Sequence, residues 1–392
     1  MSVKVVTVGV RGYATTYVHP LLDDMHEGKY TYEGVIARDI TKSPFCDRIK
    51  EENITVCKTL KEYFENGHKA DLVIISTPPH LHADESILAI ENGANVLCEK
   101  PVASLYSDAV RMLEASEKSG KFIGICYQWS YSDANRAFKA DILAGKFGKA
   151  KELKSFVSWP RGWDYYSGAW KGKIKDENGT MILDSVVGNA AAHYLHNMYF
   201  LLGDAMNTCD FPETIRCELL RANDIENFDT CLLDIKTKSG AKLVYIASHA
   251  AEKNDAPKFE FVFENAVVTF NVKEQNNHII AEFKDGTVKD YGDPNEGLNN
   301  RIWDSIDAVT SNKPLVCTVK TAIAHTLTVN KLYECGKIVN FPDELLLIDK
   351  EAEITSVKGL YELMHKAFEK GCLLKDMGID WTEVREFCAE QE

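Results

Sequence analysis

Three side chains stand out for proton chemistry: the lysine of Glu99-Lys100-Pro101 and the two histidines His193 and His196, three residues apart. An imidazole titrates nearest neutral pH and suits a general base, while an ammonium can steady charge developing on an oxygen. Together they suit reactions at a carbon bearing a hydroxyl or a carbonyl. In the stretch NGTMILDSVVGNAAAHYLHNMYFLLG (178–203), Asn189, His193, His196 and Phe200 fall at i, i+4, i+7 and i+11, one face of a helix otherwise built from Ala, Leu, Met and Tyr. Polar groups in a core cost a few kcal/mol unless partnered, so such a stripe is expected to line a wet cavity; core histidines satisfied by backbone carbonyls are the alternative. A zinc site on the two histidines needs a third protein ligand that no spacing supplies, so no metal is expected.

The elements that must carry these groups read clearly. Residues 71–101 form a buried strand, a Ser76-Thr77-Pro78-Pro79 turn, an amphipathic helix and a second strand that delivers Lys100 to a sheet edge. Strand-like runs at Val3–Gly9, Tyr32–Ala37, Leu72–Ser76, Asn95–Cys98 and Phe122–Tyr127 alternate with helical stretches at 15–27, 58–66, 83–93 and 105–119. That alternation predicts a Rossmann-type doubly wound parallel sheet, an α/β domain over residues 1–128. Its first strand runs into Gly9-Val10-Arg11-Gly12-Tyr13-Ala14 and then a helix, the setting of a dinucleotide-binding turn with only part of the GxGxxG pattern. Residues 129–392 predict an α+β domain with an open, mostly antiparallel sheet: strands at Ala150–Ser158, Thr214–Leu220, Thr230–Thr237, Lys242–Ser248, Lys258–Glu264 and Ala266–Asn271, then helices near 299–311, 319–338 and 352–371. The acidic end Glu390-Gln391-Glu392 is expected to fray.

The ordered series of glycine turn, Thr77-Pro78 and Glu99-Lys100-Pro101 resembles the signature of the Gfo/Idh/MocA oxidoreductases, strongly through residue 130 and weakly beyond 270. The resemblance implies an NAD or NADP cofactor and a dehydrogenase acting on the CH–OH groups of sugars, sugar derivatives or polyols. It implies a cofactor site built from Gly9, Arg11, Gly12, Tyr13, Arg38, Ser76, Thr77, Pro78, His82, Glu99, Lys100 and Gln128. Lys100 would lie beside the nicotinamide ribose and the substrate oxygen, His193 would be the catalytic base, and His196 would bind substrate. Two departures matter. Ala37 stands where a carboxylate usually binds the adenosine ribose, and Arg38 follows it, so a 2′-phosphate is not repelled, while Asp39 could still serve NAD. Asn189 stands where the family commonly has an aspartate four residues before the histidine, and Asp184, from a turn around Gly188, is the expected orienter of substrate or base. Two other functions fit the same residues: a glycoside-cleaving enzyme that oxidises its sugar transiently, and a sugar or nucleotide sensor without turnover.

Sugar rings offer apolar faces to Trp and Tyr and hydroxyls to Arg, Asp and Lys, so Arg161, Trp163 and Tyr165 in SWPRGWDYYSGAWKGK (158–173) are candidate substrate contacts. A loop pinned to the sheet by its aromatics is the alternative. A net charge of −14 argues against nucleic acid or an anionic membrane as partner. No apolar run approaches the roughly 20 residues of a membrane span, and the sequence opens directly on a strand, so a cytoplasmic location is expected. Eleven scattered cysteines without a CxxC pair read as reduced. Fold analogy adds a homo-oligomer, a dimer or tetramer.

Overall fold

Short apolar runs rich in β-branched residues are fit for the middle of a sheet covered on both faces, and Leu72–Ile75 is such a run. A computed structural model describes residues 2–168, 170–273, 277–311 and 313–389; Glu390-Gln391-Glu392 lies outside them. The chain divides into two units, Met1–Tyr131 with Gly297–Ile323, and Ser132–Glu296 with Ala324–Glu392.

The first unit holds β1 (Val3–Val8), β2 (Tyr30–Ile36), β3 (Thr55–Cys57), β4 (Leu72–Ile75), β5 (Asn95–Cys98) and β6 (Ile123–Ile125) in the order β3-β2-β1-β4-β5-β6. All five pairings are parallel. The strand order reverses between β1 and β4, so the carboxyl ends of these two strands, Gly9 and Ser76, flank the crevice where ligands bind in such sheets. Every residue of β4 and β5 is buried, which fixes their ends firmly. The helix Asn300–Ser311 buries Ile302 and Ile306 in the same core as Val5, Leu21, Leu72 and Leu97. Its apolar face thus returns the segment 297–323 to this unit, where the sequence had suggested one unbroken second domain over 129–392.

The second unit is a ten-stranded, mostly antiparallel sheet. It holds β7 (Ala150–Ser158), β8 (Pro212–Arg221), β9 (Thr230–Thr237), β10 (Lys242–Ser248), β11 (Asp255–Phe263), β12 (Ala266–Phe270), β13 (Ile280–Phe283), β14 (Val288–Asp290), β15 (Ile338–Asn340) and, beside β8, β18 (Arg385–Cys388). Among the described residues, only β7 with β10 and β8 with β15 run parallel in this sheet. The helix Leu360–Lys370 lays Leu360, Met364 and Phe368 on Phe156, Leu232 and Ile246 of the sheet.

Two elements differ from the sequence reading. The helix expected over 352–371 starts only at Leu360, because Ile354–Val357 (β17) pairs with Leu346–Asp349 (β16) and Gly359 turns with φ 76° before the helix begins. The helix carrying the histidines spans Ala192–Leu201, which leaves Asn189 in the preceding turn. Among the described residues no helix is long and apolar enough to cross a membrane.

Candidate functional site

In the first unit the β1 turn is shaped by two glycines. Gly9 has φ +105°, and a Cβ there would lie 2.7 Å from the Ser76 carbonyl oxygen, so the turns after β1 and β4 press together as only glycine allows. Gly12 has φ +59° and open space where a Cβ would project, a bare stretch of backbone facing solvent just ahead of the helix Thr15–Asp23. Arg11 between them is exposed. Bare backbone ahead of a helix start is what a pyrophosphate requires, so these residues fit a dinucleotide. At the end of β2, Arg38 is exposed, and the Asp39 carboxylate is taken up by Thr41, accepting from its backbone at 3.1 Å and its hydroxyl at 2.6 Å.

The turns after β4 and β5 are tied together by His82. Its ring nitrogens lie 2.9 Å from the carbonyl oxygens of Thr77 and Pro101, and the ring is fully buried. Expected among the cofactor contacts, His82 is instead a brace between the two turns that hold Thr77, Pro78 and Lys100. Thr77 donates its hydroxyl to Glu85 at 2.6 Å, and burial pushes the Glu85 carboxyl up to about 7, with Thr77 and Arg38 opposing.

Lys100 is half-buried, and its backbone N–H donates to the Glu99 carboxylate at 3.0 Å. Glu99 in turn accepts from the Tyr17 hydroxyl, and Tyr17 accepts from Arg301 Nε at 3.1 Å. Arg301 is only 2% exposed; it also donates to the Leu298 carbonyl and sits 4.8 Å over the Tyr17 ring. A buried guanidinium, a tyrosine and a buried carboxylate thus form a chain that ends on the Lys100 turn. Glu99, expected at the cofactor, is spent on this chain and on holding Lys100. Gln128, at the start of a single 3₁₀ turn, accepts from the Tyr13 hydroxyl at 3.2 Å, joining two further expected cofactor residues.

In the second unit Asp184 is buried, and its carboxylate accepts from Gly172 N at 2.6 Å and from Asn189 Nδ2 at 2.8 Å. The two residues between which the sequence could not choose therefore hold each other. Asn227 fixes the same turn from behind, donating to the Asp184 carbonyl at 2.6 Å, while its own N–H reaches the Gly172 carbonyl. His193 is half-buried on the first turn of its helix, with its ring 6.5 Å from that of Tyr194, which meets Trp159 edge-on at 5.7 Å. His196 is buried against Phe200 at 6.0 Å between ring centroids, and burial, with the charges of His325, His193 and Lys139, holds it neutral. It packs in the helix core, where the resemblance implies substrate contact.

The loop 158–173 brings its charges together around Tyr165. Arg161 lies 5.0 Å from that ring and Lys171 3.8 Å. Trp163 points elsewhere, donating its indole N–H to Thr355 at 3.0 Å, and serves as a pin for the loop. The polar run Arg221–Asp229 is structural: Asp229 is fully buried and accepts from Ala222 N, Asn223 N and Asn223 Nδ2. Arg301, Asn227 and His249 are the residues that sequence reasoning missed or passed over.

Residues 3–127 match the family described as "Oxidoreductase family, NAD-binding Rossmann fold". Through that region the chain is similar to the Gfo/Idh/MocA oxidoreductases, whose family description is NAD-binding. A 1,5-anhydro-D-fructose reductase of Ensifer adhaerens is 30% identical over 156 residues, 39% of this chain and 44% of that protein. The chain spans less than half the length of the first relatives it matches. Among solved structures, levoglucosan dehydrogenase in complex with NADH superposes with a TM-score of 0.70 at 15% identity, covering 86% of this chain and 97% of the other. The WlbA dehydrogenase from Bordetella pertussis, in complex with NADH and UDP-GlcNAcA, gives 0.69 at 17%, with 86% and 97% covered. At these identities the likeness establishes the fold of both units and nothing finer.

Proposed function

We propose that the protein is a nicotinamide-dependent oxidoreductase acting on a hydroxyl-bearing carbon of a sugar, sugar derivative or polyol. The observation that carries this reading is the pairing, within one unit, of an open glycine turn at the sheet's switch point with a lysine turn braced by buried groups. The cofactor, when bound, supplies the hydride acceptor or donor.

The protein's own residues do the rest. The backbone at Gly9 and Gly12, with Arg11, takes the pyrophosphate, and Ser76, Thr77 and Pro78 floor the site. Arg38 meets the adenosine ribose; because Asp39 is committed to Thr41, the edge tolerates a 2′-phosphate and admits NADP as well as NAD. Tyr13 and Gln128, joined by their hydrogen bond, border the nicotinamide end. Lys100 donates a hydrogen bond to the substrate oxygen, where negative charge develops in oxidation, and Glu99 keeps its backbone fixed. His193 takes the hydroxyl proton. Asp184 and Asn189, each fixing the other, orient the substrate beside it. Eleven free cysteines accord with a reducing compartment, the cytoplasm, and the reading includes a homo-oligomer by fold analogy.

The test is a panel of sugars, polyols and glycosides offered with NAD and with NADP. Steady growth of reduced-cofactor absorbance with at least one substrate is expected. Aglycone release without net cofactor change would assign the protein to glycoside cleavage instead. Tight sugar binding with no chemistry in any pairing would make it a sensor.

A further inference from the structure

The loop Pro160–Lys171 borders a concave site of about 440 Å³ within the second unit, lined by Arg161, Asp164, Tyr165, Trp170 and Lys171 among others. Two cations share one aromatic ring in it: Lys171 Nζ stands 3.8 Å from the Tyr165 centroid and the Arg161 guanidinium 5.0 Å from it. Neither makes an ion pair among the described residues, although a carboxylate is near each. The Asp184 oxygens are engaged by Gly172 and Asn189, and the exposed Asp164 carboxylate folds over Gly162, where an added Cβ would come within 2.8 Å of it. Two like charges beside one ring repel each other, so the arrangement is least costly when an anion lies with them.

Unsatisfied donors point the same way. Arg161 Nε is buried with no hydrogen-bond partner, as is Nε2 of His249. His249 is 3% exposed, packs edge-on to Tyr165 at 5.4 Å, and holds the Tyr166 hydroxyl at Nδ1, 3.1 Å away. Burial, then the charges of Arg161 and Lys171, hold its imidazole down to about 3, so it is neutral. In the tautomer where Tyr166 donates to Nδ1, Nε2 carries a hydrogen and becomes a further donor.

We propose that this site is an anion subsite: Arg161 and Lys171 take a carboxylate or phosphate carried by the substrate, which is therefore an acidic or phosphorylated sugar rather than a neutral one. The guanidinium fork matches either group in bidentate fashion, and the ammonium adds a point charge. The identity of the rest of the ligand rests on the oxidoreductase reading above, but anion binding does not.

The experiment is calorimetric titration of the full chain, with NAD present, using D-glucuronate, D-glucose 6-phosphate and D-glucose. At least one charged sugar is expected to bind about tenfold or more tightly than glucose, and which one does so separates carboxylate from phosphate. Arg161→Gln and Lys171→Met should each weaken the charged sugar about tenfold more than they weaken glucose, with NAD affinity unchanged; Lys171→Arg should keep the preference. Equal affinities for charged and neutral sugars in the unaltered protein, or equal losses in the variants, would overturn the subsite. Cofactor reduction is read in the same mixtures: oxidation of neutral sugars with no charge preference sinks only the subsite. A charge preference without any cofactor reduction sinks only the oxidoreductase reading.

Discussion

Tyr17→Phe isolates the hydroxyl that joins Arg301 to Glu99. The ring stays, so the stacking under Arg301 at 4.8 Å and the packing of a residue only 1% exposed persist. The oxygen is lost, and with it two bonds to charged groups: its donation to the Glu99 carboxylate and its acceptance from Arg301 Nε at 3.1 Å. Each such bond contributes about 1.5–3 kcal/mol, and relief from burying a hydroxyl returns about 1–2 kcal/mol. The net expectation is a loss of about 2–4 kcal/mol in the first unit. Glu99 keeps only the Lys100 N–H among its hydrogen bonds described above, so the turn at 98–101 should also loosen. The assay is hydrogen exchange by mass spectrometry across a urea series, which reports the first unit's peptides separately from the second's. Adding Arg301→Met closes a double-mutant cycle, with a coupling of about 1–2 kcal/mol expected between the two sites. A loss below about 0.5 kcal/mol, or strict additivity, would refute the claim that the three groups act as one chain.

Two further predictions concern the same unit. The Glu85 carboxyl, raised to about 7 in the fold against roughly 4.3 in an unfolded chain, binds its proton more tightly when folded, so its contribution is present at low pH and fades as pH rises through about 7. Denaturation between about pH 5 and pH 8 should show a decline on the order of 1–3 kcal/mol that Glu85→Gln flattens, and an unchanged profile in the variant would assign the slope elsewhere. Ala37→Asp places a carboxylate at the end of β2, where it accepts from an adenosine ribose and repels a 2′-phosphate; fluorescence titration of both cofactors should move the NADP to NAD affinity ratio about tenfold or more toward NAD. A ratio that stays put would remove the β2 edge from cofactor choice.

The sheet of the first unit was legible because its central strands are short runs dominated by apolar residues and buried on both faces: Asn95–Cys98 spans the same residues in sequence and structure. Ala150–Ser158, Thr230–Thr237 and Lys242–Ser248 were equally plain. The three-residue β3 (Thr55–Cys57) is too short to show a period, and the helices Cys46–Glu51 and Asp133–Leu143 went unread as well. Ile354–Val357 reads as helix in the sequence because its pairing with Leu346–Asp349 is set by a turn rather than by its own composition. The i, i+4, i+7, i+11 spacing puts Asn189 on the histidine helix, but the turn from Ser185 to Ala191 intervenes, with Asn189 N bonded to the Ser185 carbonyl. Arg301 carried no signal at all. A single arginine on an amphipathic helix reads as solvated, and its contact with Tyr17 spans 284 residues of sequence. Lys100 was visible because its turn ends a buried strand, and Arg161 because aromatic residues crowd around it.

Lys100→Ala measures the central claim most directly. With a sugar and cofactor pair that the unaltered protein turns over, the variant should bind the cofactor with nearly the same affinity, since the glycine turn and the β4 turn are untouched. Its rate of cofactor reduction should fall by about a thousandfold, the cost of losing a group that stabilises a developing oxyanion. Unchanged turnover in the variant would contradict the account.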